Sequence, residues 1–404
     1  MSVNTLLTSQ VITNELLRRF KNNLGFSGAV SHTWDEKFAV EGAKIGDTLR
    51  LRDPVMLAAA DGPVLVPQNV VENQKTLQLN KQKVVGFAFT SKDLTLSIDN
   101  FANRYLDSAA VALANAIDID GLTLADQQVG NQVGTPGTPP NTSTPFYQCG
   151  ELLDTNSAPM DGKRTMCIPP KIQTAALVTF NGQFQSSTQI KQQYERGRMG
   201  VQGGFEWVMD QNCRSHTNGP MGGAPQVGAA NQVGSTLSVT GFSAAAALRL
   251  NAGDTFTITG VFRVNRVSGD VKQDLMQFAV TGPVSSDATG AATIPIYPPI
   301  QTAMPGATVS ASPAAGAPLT FTGTANQVFP TGIAFHADAF TLGMAPLEVP
   351  KNIQFGSNQQ DPDTGVALRM VSMYDIINDL FVTRCDALYG WAAPRPEWAV
   401  KLIS

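Results

Sequence analysis

An α+β fold carrying an inserted all-β unit is predicted by three features of this chain. Residues 97–127 hold apolar side chains at helical spacing over an unusual length. Two runs, 44–57 and 75–90, alternate with the period of two that marks half-buried strands. From 236 to about 330 the pattern changes to short runs rich in Thr, Val, Ile and Phe, separated by Gly, Asp and Pro. The length of 404 residues exceeds one typical core and implies two or three domains.

In chain order, residues 3–20 place Leu6, Leu7, Leu16, Leu17 and Phe20 among polar neighbours, the mark of a short amphipathic helix. KIGDTLRLRDPVML (44–57) sets Leu49 and Leu51 on one face. KTLQLNKQKVVGFAFT (75–90) alternates through Leu77, Leu79, Val85, Phe87 and Phe89. With the Pro- and Gly-containing ADGPVLVPQN between them, the two runs read as a long hairpin arm with an irregular tip. Such an arm cannot bury its apolar face alone and needs a partner surface, such as one on another subunit. The helical run follows, with Ser97 as N-cap and Asp99 at the positive helix end. It would extend about 45 Å at 1.5 Å per residue, with Gly121 able to bend or end it.

Beyond a Gly/Pro/Thr loop at 130–145, helices are predicted at about 170–180 and 188–196. TNGPMGGAPQVGAANQVGS (217–235) reads as a linker into the β unit. After residue 336 the pattern is mixed again, with a strand at 365–373 and a tail WAAPRPEWAVKLIS. The simplest parse is one α/β body interrupted by an inserted β domain.

Charged residues make up only 15% and net charge is −4, with no Lys/Arg run. A dedicated grip on nucleic acid needs clustered cations, so that class is disfavoured. A weakly charged, polar surface suits a protein that buries much of itself against its own copies. No stretch approaches about 18 uninterrupted apolar residues, so neither a membrane span nor a signal peptide is expected. Cys149, Cys167, Cys213 and Cys385 lie far apart without a CxxC pair, and reduced thiols are expected.

Candidate chemistry is sparse. The three histidines are His32, His216 and His336, and His336 has Asp338 two positions on. Two groups fall short of the three or four convergent ligands of a zinc site, so packing is the expected role of FHADAF. Gly197-Arg198-Met199-Gly200-Val201-Gln202-Gly203-Gly204 matches no phosphate-loop spacing and reads as turns before the strand FEWVMD. Asp118 and Asp120 read as a surface carboxylate pair, and Asp361 to Gly365 as a turn, since neither has the ligand spacing of a calcium loop. No GxSxG elbow occurs. Accordingly no catalytic, cofactor-binding or metal-binding residue is assigned, and no cofactor is expected.

The order of elements resembles the Hong Kong-97-type major capsid proteins of tailed bacteriophages. APMDGKRTMCIPP (158–170) is similar to the turn and strand after the spine helix of that family. GRMG (197–200) with GGFEW (203–207), FHADAF (335–340), APLEVP (345–350) and DALYGWAAPRPEWAV (386–400) follow in the family's order. The β unit, with LNAGDTFTITGV (250–261), resembles the insertion domain of the coat proteins of Salmonella-type short-tailed phages. One departure is the neutral lead-in at 217–235, where some members have a charged loop that reaches a neighbouring capsomer.

The resemblance implies an N-terminal arm (1–43), an extended hairpin and peripheral strands (44–96), and a spine helix with peripheral domain (97–146). It further implies an axial domain in two parts (147–234 and 335–375), an inserted β-barrel (235–334) and a return to the peripheral domain (376–404). It implies self-assembly into hexamers and pentamers of an icosahedral head around double-stranded DNA. Scaffolding, portal and decoration proteins would be partners, with only non-specific contacts to DNA and none to membrane. Assembly would occur in the host bacterial cytoplasm. An encapsulin-like cellular compartment is the alternative.

Overall fold

The computed structural model describes residues 9–32, 48–52, 74–90, 107–180, 200–351, 353, 355–361 and 365–404. Two compact units divide the chain. One comprises Met1–Leu51, Gln74–Gly121 and Thr341–Ala392; the other comprises Arg52–Asn73, Leu122–Phe340 and Ala393–Ser404.

The first unit is built on an antiparallel sheet in the order Thr341–Ala345, Leu380–Ala392, Ala367–Asp375, Phe355–Gln360. Lys81–Thr90 also pairs along Leu380–Ala392. Helix α1 (Ser9–Asn22) packs on the two strands at 355–375. Its buried residues Thr13, Leu16, Leu17 and Phe20 recur at the spacing of one helical stripe. Leu6 and Leu7 lie outside the described residues.

The expected hairpin arm is only partly present. Thr48–Arg52 does pair with Gln74–Gln78. The run 75–90, however, is two strands interrupted at Leu79 and Asn80, and Lys81–Thr90 pairs with 380–389 instead. Alternation continued across the interruption since Leu77 and Leu79 are buried and Val85 and Phe87 are half-buried. Much of the partner surface is therefore supplied by the same chain. The tip at 53–73 lies outside the described residues, as do 91–106 with Ser97 and the helix expected at 188–196.

Helix α3 (Asp107–Gln128) follows the short α2 (Phe26–Ala29) in the order of described helices and runs straight through Gly121. A Cβ at Gly121 would sit 2.5 Å from the Trp391 ring, so the glycine serves close packing and not a break. By length and composition α3 could cross a membrane. Two of its carboxylates, Asp118 and Asp126, are buried. Asp118, expected at the surface, is buried and accepts from the Gly25 and Ser27 N–H groups at 2.9 and 2.8 Å and from the Ser27 hydroxyl. It thus satisfies donors that α2 leaves open at its start.

The second unit contains a mixed seven-stranded sheet. Along its main path the order is Gln132–Gly134, Ala399–Ile403, Val328–His336, Arg164–Ile168, Phe205–Met209, Val201–Gln202, and Ser215–Thr217 pairs with the start of Val328–His336. Gly203 and Gly204 both take positive φ in the tight turn between the last two strands of that path, a conformation glycine adopts without strain. Helices α4 (Thr144–Thr155) and α5 (Pro170–Thr179) cover the sheet with Phe146, Cys149, Leu153, Ile172 and Ala176.

The same unit contains a β-barrel. Its strand order is Leu319–Phe321, Thr255–Val264, Val271–Val280, Ala292–Ile300, Gly234–Phe242, Gly223–Val227. The two outer strands meet: Gln226 bridges Pro318, Val227 N donates to Ala317 O at 2.9 Å, and Gly316 N donates to Val227 O at 2.8 Å. Leu237, Val239, Phe256, Ile258, Phe278, Ile294 and Ile296 fill the interior. Each such side chain contributes roughly 1.5–3 kcal/mol when fully buried. The expectation of a linker over 217–235 is corrected here. Its Gly/Pro composition hides the strand Gly223–Val227, which is specified by backbone pairing and by the single buried side chain of Val227.

Candidate functional site

His336 ends the strand Val328–His336 and is fully buried. Its Nε2 lies 2.9 Å from Asp161 Oδ1, and its Nδ1 accepts the Asp338 N–H at 3.2 Å. The ring stands edge-on to Trp398, and Phe335 and Phe340 pack at 5.7 Å between centroids. The Asp338 carboxylate stays 3.8 Å from the ring and half-exposed, so the adjacent pair in sequence is chiefly a backbone turn contact. The hydrogen bond to His336 is the main reason the Asp161 carboxyl lies below its ordinary pKa.

A second histidine, passed over in the sequence, sits in the denser ionic network. His216 Nδ1 lies 2.8 Å from Asp126 of α3, and Nε2 lies 2.9 Å from Asp254. Asp254 also accepts from the N–H groups of Gly219 and Asn251. Lys401, fully enclosed, donates to the carbonyls of Asp126 and Gly253 at 3.0 and 2.7 Å. Burial opposes the imidazolium, yet the two carboxylates outweigh it and raise His216 to about 9. Burial also lowers Lys401. Both ring nitrogens of His216 are engaged and the ring is buried, so the arrangement fastens elements together and presents no free base. Nothing in the sequence spacing announces it, since Asp126, His216, Asp254 and Lys401 come from four distant segments.

Further polar links surround it. Fully buried Arg263 donates to Asn131 Oδ1 at 2.8 Å, and burial brings its pKa down to about 10. Gln277 and Gln132 exchange backbone and side-chain bonds, and Arg266 meets Glu397 at 2.7 Å beside the Tyr297 hydroxyl. The barrel is thereby attached to the mixed sheet through side-chain networks.

In the first unit, Asp120 accepts from Tyr389 at 2.5 Å and lies 3.4 and 3.5 Å from Lys81 and Lys83. Fully buried Asp386 takes Arg369 at 2.6 Å and Arg384 at 2.7 Å. Exposed apolar side chains share the sheet face that carries Arg369, Arg384 and Asp386. The register aligns Met373, Val382 and Ala88 across three strands, and all three are exposed. At the hairpin end, Ile376 and Ile377 are 84% and 92% exposed. Their turn is firmly built: Asp375 accepts from the Ile377 N–H at 2.9 Å and from Asn378 at 2.7 Å, and Tyr374 donates to Asp379 at 2.8 Å. Two isoleucines held out by three polar contacts form a candidate association surface.

Among the described residues, no group of three or more His, Cys, Asp or Glu is placed to hold a metal ion. The Gly200–Gly204 turn holds no side-chain cluster, and Asp361 closes its turn through backbone bonds with Gly365 and Val366.

No curated protein matches this chain in sequence. Its fold is similar to solved structures of Mycobacterium phage Che8 (12% identity, 93% of this chain and 90% of that chain, TM-score 0.44). It is also similar to the capsid of the cyanophage P-SCSP1u (12%, 92% and 85%, 0.43) and to a virus-like particle from Pyrococcus furiosus (9%, 97% and 98%, 0.42). A model of the P22 coat protein family, gene protein 5, matches residues 1–403, and the chain belongs to that family.

Proposed function

We propose that this major capsid protein builds its phage head as hexamers and pentamers closed around double-stranded DNA. The family match over residues 1–403 is the observation that carries the reading. The exposed Met373–Val382–Ala88 face and the Ile376–Ile377 tip support it, since they offer apolar surface that water would not favour in an isolated subunit. Repeated heterologous contacts that close by rotation give rings, and rings joined by further contacts give a shell. The work done is assembly; the family is a family of structural coat proteins. Scaffolding and portal proteins as partners, and assembly in the host bacterial cytoplasm, belong to the same proposal.

Electron microscopy of the full chain, expressed with and without the neighbouring phage genes, tests this. Closed shells with five-fold vertices are expected. A protein that stays monomeric with all those genes present would overturn the reading.

A further inference from the structure

Two of the four cysteines come together in the second unit although 46 positions separate them. Cys167 lies in the strand Arg164–Ile168, fully buried. Cys213 follows the strand Phe205–Met209, which pairs with it in parallel, Cys167 opposite Val208. Past Met209, Asp210 N donates to Ile168 O at 3.1 Å, and Cys213 N donates to Asp210 O at 3.4 Å. Asn212 N donates to the Asp210 carboxylate at 2.8 Å and tightens the turn. This returns the chain across the end of its neighbouring strand and sets the two sulfurs 3.6 Å apart. Cys213 is half-exposed, so reagents reach one member of the pair. Cys149 and Cys385 are buried elsewhere, and burial pushes each of those thiols up to about 12, which makes them inert by comparison.

We propose that Cys167 and Cys213 are a latent disulfide, open in a reducing cell and closed once the particle meets oxidising surroundings. A disulfide sulfur–sulfur bond is ~2.05 Å, so the 3.6 Å contact has to shorten by rotation of the cysteine side chains about their Cα–Cβ bonds. The oxidant is a small-molecule disulfide such as oxidised glutathione. The Cys213 thiolate attacks one of its sulfurs and displaces a small thiolate. The Cys167 thiolate then attacks Cys213 Sγ in the mixed disulfide and displaces the second. Two protein thiols are oxidised to one disulfide, the reagent is reduced to two thiols, and the two protons released by the cysteines end on those thiols. The bond closes a loop that includes α5 and the Gly203–Gly204 turn, and so restricts the unfolded chain. The timing rests on the head being assembled inside a cell and released from it; the chemistry of the pair does not.

The test treats the purified full chain, both as soluble subunits and as assembled shells, with graded reduced and oxidised glutathione. Free thiols are blocked, and tryptic peptides are mapped by mass. One linked species is expected, joining 165–171 to 199–214, while Cys149 and Cys385 stay free. The oxidised protein should unfold on the order of 5–10 °C higher, reversibly with reductant. Cys213→Ser should assemble normally and lose that redox-dependent shift. Four free thiols at every poise, a Cys213 that stops at the glutathione adduct, or a different linked pair would each overturn the proposal. If subunits cross-link but never form shells, the shell function fails and the disulfide stands. If shells form without the linked peptide, the reverse holds.

Discussion

At the scale of single residues, the strongest electrostatic device is His216 between Asp126 and Asp254. Its folded pKa of about 9 lies above the unfolded value of about 6.5, so its contribution is fully present below about pH 6.5. The contribution fades as pH rises through about 9 and amounts to something on the order of 3 kcal/mol. Lys401, lowered by burial, acts with the opposite sign in the alkaline range, so the comparison must be a difference. Wild type minus His216→Gln, measured by denaturant unfolding from pH 6 to pH 10, should shrink with rising pH; a flat difference would remove the imidazolium from the account. His336→Gln is expected to be milder. It loses the Asp161 bond and the ring contact with Trp398, roughly 1–2 kcal/mol, and shells seen by microscopy should persist. The contrast shows what was legible. FHADAF announced ring packing because Phe335 and Phe340 flank it locally. Asp126, His216, Asp254 and Lys401 meet only through the tertiary fold, and Asp118 looked like a surface carboxylate because its partners are main-chain N–H groups about 90 positions away.

At the scale of elements, local pattern identified helices and strands well where one chain segment carried its own stripe. α1 shows this, as does α5, observed at Pro170–Thr179. It did not identify what another segment imposes. Gly121 suggested a helix break, yet α3 continues and Trp391 occupies the space. Gly121→Ala should therefore reverse the usual sign. Helix propensity favours alanine by about 1 kcal/mol, while forcing a methyl into a packed ring typically costs 1–3 kcal/mol. A lowered melting temperature is expected, and a raised one would mean the ring moves aside freely. The hairpin tip gives a complementary test. Ile376→Asp with Ile377→Asp touches no buried contact, so unfolding should shift by less than about 0.5 kcal/mol, whereas assembly measured by sedimentation should fall sharply. Normal shells from that double variant would remove the tip from the subunit contacts.

At the scale of the whole molecule, the inserted β unit is a closed barrel whose closure depends on Gly223–Val227, a strand that composition disguised as a linker. We expect a fragment spanning about residues 219–327 to give dispersed amide signals and cooperative unfolding. A fragment spanning 235–334 lacks the closing strand and Val227, and it should be markedly less stable. Equal stability of the two fragments would mean that the closing strand adds nothing to the barrel. The overall class was legible because hydrophobic period changes along the chain. The closure was not, because backbone hydrogen bonds leave no mark in side-chain pattern.

The strand Ala399–Ile403 lies between Gln132–Gly134 and Val328–His336, with its residues buried. Its first neighbour leaves the ribosome long before it does. At roughly 5–20 residues per second, the interval is on the order of tens of seconds. Through most of that time Gln132–Gly134 has no neighbour to pair with, and once Val328–His336 is made the two flank the space of one missing strand. Closure of the mixed sheet therefore waits on a segment translated long after its first neighbour. Synthesis itself works as a clock for the order in which this sheet can form.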